Sequence, residues 1–157
     1  MGIRKAVKND RAALAAMINA SDNLTGDEKE CAAELLDIYL NNGAQKDYSF
    51  VVETDDKDGA TGYACYGKRP LTQGTYDLYW IVVAPAHRRR GVGARLVAAV
   101  MDKLRADGAR ILVAETSGAK AYAAAMSFYM KNGFALEARV KEFYKPGDDL
   151  MLFVRRF

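Results

Sequence analysis

The stretch IVVAPAHRRRGVGARLVAAVMDKL, residues 81–104, decides the fold of this chain. It holds the end of an apolar strand, a short basic loop and an amphipathic helix, in that order. Thr75–Val83 is rich in aromatic and β-branched residues and reads as a central strand. Val92, Leu96, Val97, Val100, Met101 and Leu104 recur at three- and four-residue spacing, the period of a helix buried along one face. Asp107-Gly108 stops that helix. Between strand and helix, His87-Arg88-Arg89-Arg90 concentrates positive charge, and Gly91 and Gly93 follow at once. A diphosphate needs backbone donors that can come close, which glycine permits. The first turn of a helix supplies unpaired N–H groups and the positive end of its dipole. Arginines on the rim add charge-assisted hydrogen bonds. A solvated charge run is the bland alternative for Arg88–Arg90, but it does not account for glycines and a helix start in the same place. The turn reads as an anion site.

Working outward, Ile3–Val7 reads as a first strand and residues 10–20 as a helix carrying Leu14, Met17 and Ile18. Thr25 and Glu28 form a capping box for a second helix that ends near Asn41, before Asn42-Gly43. Tyr48–Thr54 and Ala60–Lys68 read as a hairpin around Asp55–Gly59. Beyond the long helix, Arg110–Glu115 is a short buried strand and Lys120–Lys131 a helix stopped by Asn132-Gly133. Phe134–Tyr144 and Leu150–Phe157 flank the turn Lys145–Asp149. A hairpin combined with crossover helices predicts a mixed sheet.

The composition narrows the function. A chain of 157 residues, half of them apolar, suits one domain over 1–157. A net charge of +3 does not point to nucleic acid. No apolar run reaches the ~20 residues of a membrane span, and MGIRKAVKND lacks a signal peptide's apolar stretch. Cys31 and Cys65 form no CxxC pair, so a reduced, cytoplasmic chain without membrane partners is expected. Neither has a basic neighbour pair, which argues against a thiol nucleophile. With one histidine, His87, a transition-metal site is not expected. His87 itself reads as a loop-surface residue within reach of a phosphate.

Two diphosphate motifs fail here. No GKS or GKT ending marks a P-loop. A dinucleotide fingerprint would place a third small residue where Leu96 stands, and would start at the strand end, whereas seven residues separate Val83 from Gly91. The strand–loop–RRRGVG–helix unit instead resembles the acetyl-CoA signature (Q or R)-x-x-G-x-(G or A) of the GNAT N-acetyltransferase superfamily. A second block, Ala125–Phe134, is similar to that family's FYxxxGF element, about forty residues downstream. The resemblance runs from Thr75 to the end; the first seventy residues carry no distinctive motif.

The resemblance implies an α/β (α+β) fold, a mostly antiparallel twisted sheet flanked by about four helices. It also implies acetyl-CoA as cofactor, with no metal. The pyrophosphate would rest on Arg88, Arg89, Arg90, Gly91, Val92, Gly93 and Ala94. The pantetheine would pair along Ile81, Val82 and Val83, whose bland role is core packing. Tyr129 takes the position of the family's tyrosine, which donates a proton to the leaving thiolate; its competing role is a packed helix aromatic. The base is open between Asp77, with Tyr79 on the same strand face to hold a water, and Glu115. For either carboxylate, an ion pair with a nearby arginine is the competing role. The acceptor is a primary amine, small molecule or peptide, in a groove shaped by Ser21–Gly26 and Lys145–Asp149. Asp22, Asp27, Asp148 and Asp149 would make that groove acidic. A non-catalytic acyl-CoA-binding regulator is the alternative function, and a homodimer remains open as the assembly.

On this reading acetyl-CoA and CoA raise the melting temperature with ligand concentration, and NAD and ATP do not. Thermal-shift titration checks it, and equal stabilisation by NAD overturns it.

Overall fold

Thr75–Val83 forms the strand on which the architecture turns, and a computed structural model describes it with the rest of residues 1–157. In chain order the elements are β1 (Gly2–Lys5), α1 (Arg11–Asn19), α2 (Gly26–Asn41), β2 (Ser49–Thr54), β3 (Ala60–Lys68) and β4 (Thr75–Val83). Then follow α3 (Val92–Ala106), β5 (Ile111–Ser117), α4 (Ala123–Lys131), β6 (Ala135–Lys145) and β7 (Asp148–Arg156). The seven strands make one sheet in the order β1-β2-β3-β4-β5-β7-β6. Every neighbouring pair is antiparallel except β4 with β5. That one pair is parallel because α3 crosses over between its strands.

The helices divide the core between the two faces of the sheet. On one face α1 and α2 bury Leu14, Ile18 and Leu36 against Phe50, Val52 and Tyr63. On the other, the stripe Leu96, Val97, Val100 and Leu104 of α3 packs on Leu112 and Phe153. Its three- and four-residue spacing keeps all four side chains on the sheet side of the helix. Thr25 and Glu28 cap α2 reciprocally, as expected from the sequence.

Several boundaries differ from the sequence reading, β5 for one running on to Ser117, and three of the differences have a clear structural reason. β1 ends at Lys5 because Val7 begins a 3-10 turn over Lys8–Asp10, where the Asp10 carboxylate accepts from the Val7 N–H at 2.8 Å. Arg4 holds that buried carboxylate in place. α4 starts at Ala123, preceded by a 3-10 turn over Lys120–Tyr122. β7 starts at Asp148, which pairs with Lys145 across the tight turn Pro146-Gly147.

β4 is not regular. Trp80 faces Cys65 and Leu78 faces Tyr66, so Tyr79 is an extra residue. A bulge of this kind bends its strand and reverses the alternation beyond it. The clusters record that reversal: Leu78, Ile81 and Val83 pack on the α3 side, whereas Tyr79, Trp80 and Val82 pack with α1 and α2. The β4–β5 ladder then stops at Asp77↔Val113, although both strands continue.

α3 approaches the sheet closely at Gly62 of β3, where an added Cβ would lie 2.8 Å from Val92 Cγ1 and 3.0 Å from the Val82 carbonyl oxygen. Gly62→Ala therefore overpacks the seat of α3's first turn. It is expected to destabilise by about 1–3 kcal/mol, measured by urea denaturation, and to weaken ligand binding at that turn.

Candidate active site

The β4–α3 junction gathers a row of unpaired main-chain donors. No acceptor in the protein meets the N–H groups of Arg89 through Ala94. These six consecutive donors close the loop and open the helix, where unpaired N–H groups and the helix dipole both favour negative charge. The conformation is held under constraint: Gly91 sits at φ 76° and Arg89, without glycine's freedom, at φ 61°. Positive φ at a non-glycine residue costs on the order of 1–3 kcal/mol unless its surroundings impose it.

A brace imposes it here. Glu53 of β2 has a side chain only 3% exposed. It accepts from Arg95 Nε at 2.8 Å and Nη2 at 2.9 Å, while Arg95 Nη1 donates to the Arg90 carbonyl at 2.9 Å. Thr61 Oγ1 donates to the same carboxylate at 3.2 Å. The guanidinium thus ties the loop to a buried anion in the sheet. Its hydrogen bonds hold the Glu53 carboxyl below the usual carboxylate range.

The loop forms one wall of a cleft of about 650 Å³. Of the ten residues expected to hold the cofactor, Ile81, Val82, Val83, Arg88, Arg89, Gly91, Val92, Gly93 and Ala94 line it. Arg90 does not; its contribution is the carbonyl that Arg95 grips. His87 lines the cleft too, as do Leu24, Phe128 and Asn132, which the sequence reading did not assign to the cofactor. Past Asp77 the β5-facing side of β4 has no partner strand, so an extended ligand can run along Ile81–Val83. The residues fit acetyl-CoA: free N–H groups and arginines for the diphosphate, and an open strand edge for the amide-bearing arm.

Tyr129 lies in the same cleft. Its ring packs against Phe128, Phe134 and Phe153 at centroid distances of 5.6, 5.3 and 5.6 Å. Its hydroxyl forms no hydrogen bond within the protein, and burial pushes its pKa up to about 12.

Asp77 and Glu115 do not line this cleft. Both belong to the opposite face of the sheet, where one arginine bridges them. Arg69 Nε and Nη2 donate to Asp77 Oδ1 at 3.1 and 2.5 Å, and Nη2 also donates to Glu115 Oε1 at 3.3 Å. The two carboxylates differ in commitment. Asp77 is 10% exposed with two contacts; Glu115 is 42% exposed with one long contact. Tyr79 neighbours Asp77 and packs edge-on against Tyr48 at 5.7 Å; burial and the Asp77 charge push its phenol up to about 12.

The gap between β4 and β5 joins the two faces. Tyr129 packs at a tilt on Phe153, which pairs with Ala114, and the next residue, Glu115, points to the other face. The acidic groove expected from the loops is only partly there. Asp22 lies 3.6 Å from Arg88, at the cofactor end. Asp149 is bound to Arg139 and to the Glu142 N–H, inside the β6 bulge. Asp148 accepts from Ser117 Oγ. Burial first, and then the negative charges of Glu115, Glu28 and Asp148, push Tyr144 up to about 12.

Glu53→Gln removes the charge of the brace and keeps its shape. Because the folded carboxyl titrates below its unfolded value, its contribution is complete above roughly pH 4.3 and is lost as pH falls through the folded pKa. The variant is expected to lose about 1–3 kcal/mol at neutral pH, and the gap from the parent chain closes in acid. Denaturation at several pH values reads this, and CoA affinity falls about tenfold, roughly 1.4 kcal/mol.

Comparison with known proteins agrees with this geometry. Residues 14–134 match the model of the acetyltransferase (GNAT) family. The L-methionine sulfoximine/L-methionine sulfone acetyltransferase of Pseudomonas aeruginosa is 27% identical over 107 residues, 66% of this chain. The match spans 60% of that relative's length. A GNAT-family protein from Desulfovibrio desulfuricans superposes with a TM-score of 0.93 at 42% identity, covering 99% of this chain and 98% of that one. A protein from Salmonella typhimurium, solved with its cofactor acetyl-CoA, shares the fold with a TM-score of 0.73 at 22% identity, over 99% and 93% of the two chains. With its forked sheet and its glycine turn, the chain belongs to the GNAT acetyltransferase family.

Proposed function

We propose that residues 1–157 act as one cytoplasmic domain that transfers the acetyl group of acetyl-CoA directly to a primary amine, in a ternary complex. One observation carries the reading: a row of free N–H donors and an unbonded phenol share a cleft that a gap in the sheet connects to a carboxylate pair.

Bound on the loop, acetyl-CoA supplies an activated thioester, whose carbonyl carbon gains a C–N bond as its C–S bond breaks. Glu115 takes the proton of the acceptor ammonium, directly or through a water. It is the freer of the two carboxylates, and Arg69 draws on it through one long contact. Asp77, more deeply held, anchors Arg69 and orients it. Tyr129, in the cleft that would hold the thioester, would serve the departing sulfur. Against a reference thiol near 8.5, a phenol at about 12 leaves full proton transfer uphill by roughly 5 kcal/mol. Tyr129 therefore acts first as a hydrogen-bond donor to the growing thiolate. Transfer completes as the apolar cleft raises the thiol's own pKa. The acceptor enters from the face of Glu28, Glu115 and Asp148, which suits a cationic amine. Cys65 is buried and its thiol pushed well up, which supports direct transfer over a thiol relay.

An acetylation assay read by free-thiol release tests this with a panel of amines. The panel includes methionine sulfone and methionine sulfoximine, acceptors named for the Pseudomonas relative, and short peptides. Tyr129→Phe keeps the packing, so turnover is expected to fall ~10²–10⁴-fold with CoA affinity within threefold. A chain that binds CoA but releases thiol with no amine is a regulator. A variant as active as the parent removes Tyr129 from the chemistry.

A further inference from the structure

A second cleft, of about 600 Å³, opens at the other end of the sheet, where the ends of β1 and β3 meet the start of β2 and the end of α2. It shares no residue with the cofactor cleft. The two are well separated: Lys103, on its rim, lies eleven residues along α3 from Val92, about 16 Å at the helical rise. Its size falls within the ~300–1,000 Å³ of small-molecule pockets.

Its charge is one-sided. Lys5, Lys8, Lys46 and Lys103 line it, and no carboxylate does. Lys5, Lys8 and Lys46 take part in none of the ion pairs, while Lys103 is 3.6 Å from Asp107. Of the acids nearby, Asp10 is claimed by Arg4 and Asp107 by Lys103; Asp47 lies outside the lining. Three of the four cations have no ion-pair partner, which raises the local potential for an anion.

Its floor is aromatic and firmly set. Tyr39 and Phe50 pack with centroids 5.0 Å apart, and Phe50 stacks on Tyr63 at 5.7 Å. Tyr48 and Tyr66 complete the floor. Burial first, and then the charges of Asp10, Asp47 and Asp107, push the Tyr39, Tyr48 and Tyr66 phenols up respectively. The wall is preformed by Gln45. Its side chain donates to the Tyr48 carbonyl at 2.9 Å and accepts from the Asp47 and Tyr48 N–H groups at 3.0 and 2.9 Å.

We propose that this cleft is a binding site for a small molecule bearing a carboxylate or phosphate on a flat, unsaturated body. The lysines hold the anionic group and the half-buried rings of Tyr39 and Tyr48 take the planar part, a division of labour usual in small-molecule sites. The site is separate from the acetyl-transfer chemistry and does not depend on it.

Phenyl phosphate is the probe, titrated into isotope-labelled full-length protein with excess CoA present to occupy the diphosphate loop. The expected result is saturable amide shifts over residues 42–50, with inorganic phosphate at least tenfold weaker. The pair Lys8→Glu and Lys46→Glu, both exposed, weakens binding tenfold or more. It leaves the melting temperature and CoA affinity unchanged. Shifts confined to residues 88–94, no saturable shifts, equal binding of inorganic phosphate, or a smaller loss in the charge-reversed chain overturns the proposal.

Discussion

Two parallel strands that pair over three residues and then part leave main-chain groups without partners, and such a gap persists only where something else forces the strands apart. Here the forcing element is the extra residue at Tyr79, which bends β4 away from β5 beyond Asp77. Much of the candidate site follows from that bend. It exposes the strand edge Ile81–Val83 to the cleft, and it swings the end of β4 toward the loop that opens α3. It also leaves Asp77 and Glu115 at the fork, close enough for one guanidinium to reach both. A straight β4 would close the ladder onto Glu115 and Ser117 and seal one face of the sheet from the other.

The fork alone would not hold an anion, because the loop beyond it is strained. Arg89 at positive φ relaxes unless the loop is tied down, and Arg95 ties it to Glu53. An ion pair buried in the sheet is a weak source of net stability, since desolvating both charges offsets most of their attraction. Its value here is geometric. A bidentate guanidinium fixes distance and angle together, so the six N–H donors are presented before any ligand arrives. Preorganisation of this kind spares the ligand the ordering entropy it would otherwise have to offset.

These facts also mark what could be read from the sequence. The α3 stripe, the capping box of α2 and the glycine turn were legible because each depends on residues within a few positions of one another. The mixed sheet followed from the order of those local elements. Tyr79 as a bulge was not legible, since strict alternation and alternation with one insertion look alike in nine residues. Arg69 has no local signal, and its role appears only when β3, β4 and β5 come together. Glu53 carried a faint signal, a carboxylate inside the apolar run Phe50–Thr54, but its partner lies forty-two residues away. Asp22 and Asp149 show the converse: acidic loop residues suggested a groove, and each turned out to be spent on a neighbouring arginine.

The distribution of charge gives the fold a direction. Cations gather at the α3 turn, where Arg88 and Arg89 face the cleft, and acids gather on the opposite face near Tyr144. On the proposed function, an anionic cofactor and a cationic acceptor are thereby drawn to different sides of one sheet. The two can meet only where the sheet is open. Tyr129 stands at that opening with its phenol kept protonated by burial, and Glu115 stands across it with its carboxylate partly in water. The same residue types in a closed sheet would be two unrelated surface features. Across the fork between β4 and β5, the proposed mechanism makes them a proton donor and a proton acceptor on either side of a single bond exchange.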